Sequence, residues 1–238
     1  MNLQTIEKRT HCIRCGECCL KSSPTLQKED VPLVTGGRIE KRHLYTIRPG
    51  ELVVDPVEGG LKITELEIIK VRENKERGGC IFYQEEEKAC GIYEDRPVQC
   101  VALACWDPED FFEVYSRPRA QRTDLVEDST LLGLIEAHEE RCGYDRLKAL
   151  VRDIEKEKDA AVEKILDMLK FDHAMRPFLV KKLDLNPEHI DLMFGRPLIG
   201  TIQMFGLRVV RQPDGTFFLT VMDGYSRVRE KEEGAAPK

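Results

Sequence analysis

The chain has 238 residues, enough for one large domain or two modest ones that each bury a core. A charged fraction of 34% and an apolar fraction of 41% are ordinary for a soluble globular protein, and a formal net charge of −6 provides no basic surface for nucleic acid. No apolar run reaches the ~18–20 residues of a membrane span, and the N-terminus lacks a signal peptide's apolar core. We therefore expect a cytoplasmic protein that binds neither nucleic acid nor a membrane.

Eight of the nine cysteines lie before residue 106, and they form two groups. The first group falls within the segment CIRCGECC at 12–19, and the second is spread over residues 80–105. Because the cytoplasm is reducing, disulfides should not persist, and clustered thiols are better explained as metal ligands. Two-residue gaps are typical of zinc knuckles and iron–sulfur ligands. The predicted ligands are Cys12, Cys15, Cys18, Cys19, Cys80, Cys90, Cys100 and Cys105.

The residues between the two groups predict short elements. A helix is expected to start near Lys28–Asp30, because Pro32 fits only a first turn, and Gly36 closes it. Residues 44–73 carry runs of β-branched and apolar residues, which predict a small antiparallel sheet, with a long loop as the alternative.

The polar run at 84–88 separates two apolar stretches and predicts a hairpin. If Glu85 is its centre, Cys80 and Cys90 are cross-strand partners with Cβ atoms about 4.5–5.5 Å apart. Two sulfurs at that separation could share one metal.

Asp95 and Pro97 predict the cap and first turn of a helix that carries Cys100. Cys105 lies five residues further on, about 140° around a regular helix, so either the helix ends before Cys105 or the two sulfurs serve different positions. Arg96 could donate hydrogen bonds to sulfur or form a surface ion pair. Trp106 is expected to shield the site or to fill the core.

Two stretches of the first half carry a family resemblance. The CIRCGECC segment at 12–19, together with CGIYEDRP at 90–97 and Cys100, resembles the CxxCxxCC zinc- or iron-chelating domain family, the YkgJ-like cysteine cluster proteins. The match covers roughly residues 10–106 and implies metal binding. Some relatives in this family, such as flagellin lysine methylases, resemble iron–sulfur proteins that use S-adenosylmethionine.

The second half predicts helices. Residues 123–141 read as one helix with His138 at the rim of its apolar face, followed by Cys142, which its isolation marks as structural. Tyr144–Lys170 predicts a single long amphipathic helix, and His173–Leu183 a further piece.

The C-terminal part has clear start and stop signals. Asn186 caps a helix that begins at Pro187 and ends at Gly195. Residues 207–211 and 217–221 flank a Pro-Asp-Gly turn and predict a hairpin, and residues 229–238 read as a disordered tail.

Together these signals predict an α+β protein in two domains. Residues 1–118 would form a cysteine-cluster metal-binding domain, and residues 119–238 a helical domain with a C-terminal β-hairpin. Two metal contents stay open: a pair of four-cysteine zinc sites, or a [4Fe–4S] cluster with three corners from Cys12, Cys15 and Cys18. Because adjacent side chains are expected to diverge, Cys18 and Cys19 would bridge neighbouring sites.

Three functions follow from this ligand set. The first is a metal-binding module whose helical half docks a partner protein or substrate. The second is a cluster-dependent enzyme, such as an S-adenosylmethionine-using protein methyltransferase, which rests on the family resemblance alone. The third is a zinc or iron chaperone or store. No pair of catalytic residues stands out in the second half, so the sequence does not decide whether the protein is an enzyme.

Overall fold

A computed structural model describes residues 10–55, 57–213 and 215–222. It mixes helices with short antiparallel strand pairs, and the α+β prediction is confirmed. The chain divides into two compact units, each made of two segments. Unit 1 comprises Met1–Thr46 and Ile68–Glu127, and unit 2 comprises Ile47–Glu67 and Asp128–Lys238. The domain boundary after residue 118 stays a prediction.

Unit 1 is built from short elements. Its helices are α1 (Glu17–Lys21), α2 (Val31–Thr35), α3 (Val98–Ala102), α4 (Glu109–Ser116) and α5 (Arg122–Leu125). Its strands are β1 (Leu44–Ile47), β4 (Ile68–Val71), β5 (Tyr83–Gln84) and β6 (Ala89–Cys90). Strand β1 pairs with β4, and β5 pairs with β6. All four residues of β1 are buried, which places this strand pair in the core of the unit.

A buried carboxylate joins two of these elements. The predicted start of a helix near Lys28–Asp30 is confirmed: a 3₁₀ turn there leads into α2, which Gly36 ends. Asp30 accepts a hydrogen bond from the Gln27 amide at 2.8 Å and another from the Val98 amide, the first residue of α3, also at 2.8 Å. One side chain therefore caps its own turn and the helix that carries Cys100.

Unit 2 contains a two-stranded ribbon, the longer helices and a C-terminal hairpin. The ribbon strands are β2 (Leu52–Val54) and β3 (Leu61–Ile63). The helices are α6 (Ser129–Cys142), α7 (Tyr144–Glu157), α8 (Asp159–Leu183), α9 (Ile190–Phe194) and α10 (Leu198–Thr201). The hairpin strands are β7 (Leu207–Arg211) and β8 (Phe217–Val221). The sheet predicted over 44–73 is thus two separate strand pairs, β1–β4 and β2–β3.

The prediction of a single long helix over Tyr144–Lys170 is wrong. The chain turns at Lys158, whose φ of 46° lies in the left-handed region, and α7 then packs against α8. The apolar positions of that stretch lie on two helices that face each other, with Leu147, Ile165 and Leu169 fully buried between them. The second helix continues without interruption through the piece predicted at 173–183.

Other predictions for unit 2 are confirmed. Asn186 caps the turn that leads into α9, Gly195 ends that helix, and β7 pairs with β8 in the predicted hairpin. The helix predicted over 123–141 starts later, at Ser129, where Asp128 accepts hydrogen bonds from two backbone amides. The tail predicted as disordered, 229–238, lies outside the described residues. Across the described residues, no helix has both the length and the apolar character that crossing a bilayer requires.

Candidate metal centre

The first group of thiols precedes and enters α1. Cys12, Cys15 and Cys18 are exposed and Cys19 is half-buried. The Arg14 amide donates a hydrogen bond to Cys12 Sγ at 3.4 Å, within a turn in which Arg14 has a φ of 56°. Amide donors to sulfur are a common feature of cysteine ligands in metal sites.

Gly16 ends this turn and is the N-cap of α1. Its φ of 81° lies in the left-handed region, and a Cβ there would overlap the Tyr83 hydroxyl. Only glycine fits this position, because both the conformation and the space exclude a side chain. The close approach brings the first thiol group next to the β5–β6 hairpin.

A direct backbone link joins Cys19 to Cys80. The Cys80 amide donates to the Cys19 carbonyl at 2.6 Å, and Gly79 lies so close that a Cβ would meet the same carbonyl oxygen at 2.6 Å. The Gly78-Gly79 doublet before Cys80 was the sequence signal for this close approach, and sequence reasoning missed it.

The predicted pairing of Cys80 with Cys90 is wrong. Cys90 pairs with Tyr83 across the hairpin, whereas Cys80 forms an isolated bridge with Glu73. The turn covers residues 85–88 and closes through Lys88, whose φ is 50°, so its centre lies beyond Glu85. A second turn at residues 81–82 removes Cys80 from the strand.

Cys100 lies on α3, and the expectation that this helix ends before Cys105 is confirmed by its end at Ala102. Asp95 does not cap it, because Asp95 belongs to a preceding 3₁₀ turn and Asp30 supplies the cap instead. Cys105 is exposed and Trp106 is half-buried, in a turn that the Asp107 amide closes on the Ala104 carbonyl at 2.9 Å.

Five of the eight thiols lie close enough to affect each other's ionisation. Burial first, and then the nearby charges of Cys80, Cys90 and Cys18, raise the pKa of Cys100. Burial and the charge of Cys90 likewise raise the pKa of Cys80. Cys18 and Cys19 of the first group are therefore within electrostatic range of thiols of the second, Cys80 and Cys100, which are in turn within range of Cys90.

The adjacent thiols of Cys18 and Cys19 do not diverge, contrary to the expectation from their sequence positions. Their sulfurs are 3.9 Å apart, close to the ~3.8 Å between two sulfurs on one tetrahedral zinc with Zn–S bonds of about 2.3 Å. The hydrogen bond between the two thiols lowers the pKa of Cys18 to about 6 and raises that of Cys19. Both residues can therefore serve the same metal.

Two arginines and one tyrosine lie beside the thiols. The guanidinium carbons of Arg96 and Arg14 lie 3.5 and 4.1 Å from the centroid of the Tyr93 ring. Arg96 contributes to the lowered pKa of Cys18, and its Nε is buried without a hydrogen-bond partner among the described residues. Of the two alternatives for Arg96, the surface ion pair, with Asp95 or Glu94, is not found among the described residues, and Arg38 lies 3.8 Å from the Asp95 carboxylate. Arg96 thus offers a buried donor next to the thiols.

The donor set fits zinc or iron, because thiolates are the soft ligands that select these metals and iron–sulfur clusters. Within residues 10–55, 57–213 and 215–222, no three His, Cys, Asp or Glu side chains are arranged to hold a metal ion as they stand. The assignment of all eight cysteines as ligands stays a prediction. His11, the other donor considered, is exposed beside Cys12.

The ninth cysteine is separate from this group. Cys142 is fully buried in the core of unit 2, and burial raises the pKa of its thiol to about 12. This environment confirms the structural role predicted for it. His138, predicted at the rim of α6, is instead fully buried, and its Nε2 lies 2.9 Å from Asp172 Oδ1.

A cysteine-rich domain with convergent thiols defines the class of this site as a candidate metal-chelating centre. Comparison with known proteins finds a similarity in the same region: residues 11–117 match the model of the CxxCxxCC family, described as a "Putative zinc- or iron-chelating domain". Residues 11–117, less than half of the chain, are similar to that family, in agreement with the resemblance carried by the cysteine motifs.

One curated relative is an uncharacterized protein of Methanocaldococcus jannaschii. It is 33% identical over 100 residues, which cover 38% of this chain and 41% of the relative. The chain therefore spans less than half the length of this relative. No solved structure matches.

Proposed function

We propose that the chain is a metal-binding protein that holds an iron–sulfur cluster or zinc ions through its eight clustered cysteines. The carrying observation is the convergence of five thiols from three separate chain segments: Cys18 and Cys19 on α1, Cys80 and Cys90 around the β5–β6 hairpin, and Cys100 on α3. Cysteines placed for packing alone would be separately buried, as Cys142 is.

The surroundings of the thiols support the same proposal. Four thiolates on one divalent ion leave a net negative site, and cationic groups next to it reduce that charge. The positive charge of Arg96 acts to lower the pKa of Cys18 and Cys100, and that of Lys70 the pKa of Cys80. Arg96 Nε, buried and without a hydrogen bond among the described residues, can donate to a thiolate or to a cluster sulfide.

Among the metals, we favour the iron–sulfur cluster because Cys12, Cys15 and Cys18 have the spacing of three ligands of a bacterial ferredoxin cluster. A bound cluster would supply electron transfer or an open iron site for a ligand, whereas zinc would supply folding energy. The helical unit 2 would then dock a partner protein or substrate.

The experiment is purification without oxygen, followed by measurement of absorbance, iron, acid-labile sulfide and zinc. A brown protein with iron and sulfide supports the cluster, and a colourless one with about two zinc ions per chain supports the two four-cysteine sites. Protein that binds none of these metals, even after reconstitution, refutes the proposal. A Cys142→Ala variant is the matched control, since it removes a thiol that lies in the other unit.

The exposure of Cys12, Cys15 and Cys18 favours a second candidate, the transfer or storage of metal. A metal held by solvent-exposed thiolates can be reached by an incoming chelator or by acceptor thiols, which bind the metal and displace the exposed ligands. Transfer of the metal to a chelating dye within seconds would support this role, and retention over hours would support a resident centre.

The enzyme suggested by the family resemblance has its own test. Tight binding of S-adenosylmethionine by the same anaerobic samples would support it.

A further inference from the structure

Unit 2 carries a concentration of exposed apolar side chains on the β2–β3 ribbon and the residues around it. Of the fourteen large apolar residues that are exposed among the described residues, five fall between positions 54 and 66. The exposed fractions are 70% for Val54, 66% for Leu61, 63% for Leu66, 46% for Ile63 and 43% for Val57. Scattered single apolar residues are normal on a protein surface, but a contiguous group indicates an interaction site.

The strand register places these side chains on one face. Leu52 pairs with Ile63 and Val54 pairs with Leu61, so these four residues point to the same side of the ribbon. Lys62 lies at an alternate position, on the other side, and forms an ion pair with Asp55. The other side carries the Val53–Lys62 pair, and much of the all-apolar face, Val54, Leu61 and Ile63, is open to solvent.

An apolar groove of about 570 Å³ adjoins this face within the same unit. Leu52 belongs to both, and Pro197, Ile199 and Met204 continue the apolar lining on the other side. Arg196 lies at the groove with its guanidinium bound to Glu51, the nearer contact being 2.5 Å. We call the four-residue ribbon face and this groove the ribbon surface.

The charges around the ribbon surface select the kind of partner. The exposed glutamates Glu58 and Glu65 lie on the ribbon and just after it, while the charge of Lys62 is offset by Asp55. Two copies of the chain that met through this face would bring like charges together, and an anionic lipid surface would be repelled. A segment that surrounds an apolar stripe with lysine or arginine meets both requirements.

We propose that the ribbon surface docks a basic amphipathic helix of a partner protein. An amphipathic helix that lays its apolar stripe in an apolar groove is an established mode of recognition, and acidic groups at the rim add specificity and speed of association. This inference rests on the docking role proposed above for unit 2 and assigns it a surface and a class of partner.

The test uses the full-length, metal-loaded protein and two labelled helical peptides of roughly 18 residues, a length that forms five turns. One carries leucines on one face and lysines on the other, and its companion has glutamates in place of the lysines. Fluorescence anisotropy should give at least about tenfold tighter binding of the lysine peptide, an advantage that falls with added salt. Equal binding of the two peptides would overturn the proposal.

Variants locate the binding site. Val54→Ser and Leu61→Ser should each weaken binding of the lysine peptide about tenfold, as truncation of a central apolar contact does. Val221→Ser is the matched control, because Val221 is 63% exposed on strand β8 of the same unit. Unchanged binding by Leu61→Ser, or equal loss in Val221→Ser, contradicts the assignment, as does a dimer that Leu61→Ser abolishes.

Metal content and thermal unfolding are measured on every sample, which separates this inference from the proposed function. Specific peptide binding by protein that takes up no metal would refute the metal centre and leave the ribbon surface standing. Metal-loaded protein that does not discriminate between the peptides would refute the ribbon surface alone.

Discussion

The two units of the molecule are stabilised by different means. Helix α8 of unit 2 has 25 residues, seven of them buried, and it packs on α7 through an apolar core. Helix α1 of unit 1, which carries Cys18 and Cys19, has five residues and buries none of them. An isolated helix of that length is unstable in water, so α1 depends on what its thiols and backbone bind. Unit 2 thus has a helical core held by apolar burial, whereas in the thiol region of unit 1 the metal of the proposed function would supply the stability that burial does not.

The largest expected effect comes from removing that metal. A structural zinc contributes an apparent ~10–16 kcal/mol at neutral pH, more than the thiol region can replace by burial. We expect hydrogen exchange, followed by mass spectrometry, to lose protection in residues 10–22 and 79–105 of the chelated protein.

Helix α8 provides the internal control for this experiment, since its core contains no predicted ligand. Its amides should stay protected after chelation. Equal loss of protection in both units, or none in either, would contradict the comparison between them.

The next largest effect concerns the buried carboxylate of unit 2. Asp172 accepts hydrogen bonds from Arg176 Nη2 at 2.9 Å and from the Leu198 amide at 2.9 Å, and His138 Nε2 lies equally close. Asp172→Asn leaves the charge of Arg176 buried without its main partner, which should cost about 3–5 kcal/mol in urea unfolding. Asp167→Asn, at an exposed position on the same helix, should stay within about 0.5 kcal/mol of the parent.

The same group makes unit 2 sensitive to acid. Burial alone would raise the pKa of Asp172, but hydrogen bonds from His138 and Arg176 lower it to about 2. Its contribution to stability is therefore present above the ordinary aspartate pKa of about 3.9 and is lost as the pH falls towards 2. The gap in unfolding free energy between the parent and Asp172→Asn should narrow over that range, and a constant gap would contradict the pKa shift.

Sequence patterns predicted those elements whose signals are local. The Asn186-Pro187 start, the Gly195 stop and the β7–β8 hairpin each depend on a few adjacent residues, and each is found. The turn at Lys158 contains neither glycine nor proline. Because nothing in the sequence interrupts the amphipathic pattern there, the pattern predicted one helix where the structure has two.

Features that depend on distant residues could not be predicted. His138 and its partner Asp172 are 34 positions apart, and nothing local distinguishes a buried histidine from one at the rim. At the site, the sequence showed the two groups of thiols but not the β5–β6 register. A run of glutamates does not indicate which residues occupy the central positions of the turn, and those positions set the register. The Gly78-Gly79 doublet was a local signal of a close approach, but only the folded chain shows that Gly79 meets the Cys19 carbonyl.

Two neighbouring glycines provide a sharper test of that link. Gly78 and Gly79 have nearly equal φ values of 73° and 70°, but a Cβ on Gly78 would meet nothing within 4 Å. Gly78→Ala should therefore lower the free energy of unfolding by only about 1–2 kcal/mol, the cost of holding an alanine in a left-handed conformation. Gly79→Ala should cost about 1–3 kcal/mol more, because its Cβ overlaps the Cys19 carbonyl. Chemical unfolding and metal content of both variants measure the difference, and equal values would show that the close approach is unimportant.

The smallest effect should come from Arg96, which lies beside the thiols without being a ligand. Arg96→Gln removes the positive charge that helps to lower the pKa of Cys18, together with the buried Nε donor. Loss of a group that supports metal ligands in this way lowers metal affinity about tenfold. Competition with a chelator should therefore show that Arg96→Gln binds the metal about tenfold more weakly than the parent.

Arg38→Gln is the matched control, since Arg38 is exposed and lies 3.8 Å from Asp95. Tyr93→Phe should keep the parent affinity, because the ring face on which Arg96 rests is retained. If Arg96→Gln and Arg38→Gln bind metal equally well, the guanidinium only packs against Tyr93, and the charge of the centre is balanced by other groups.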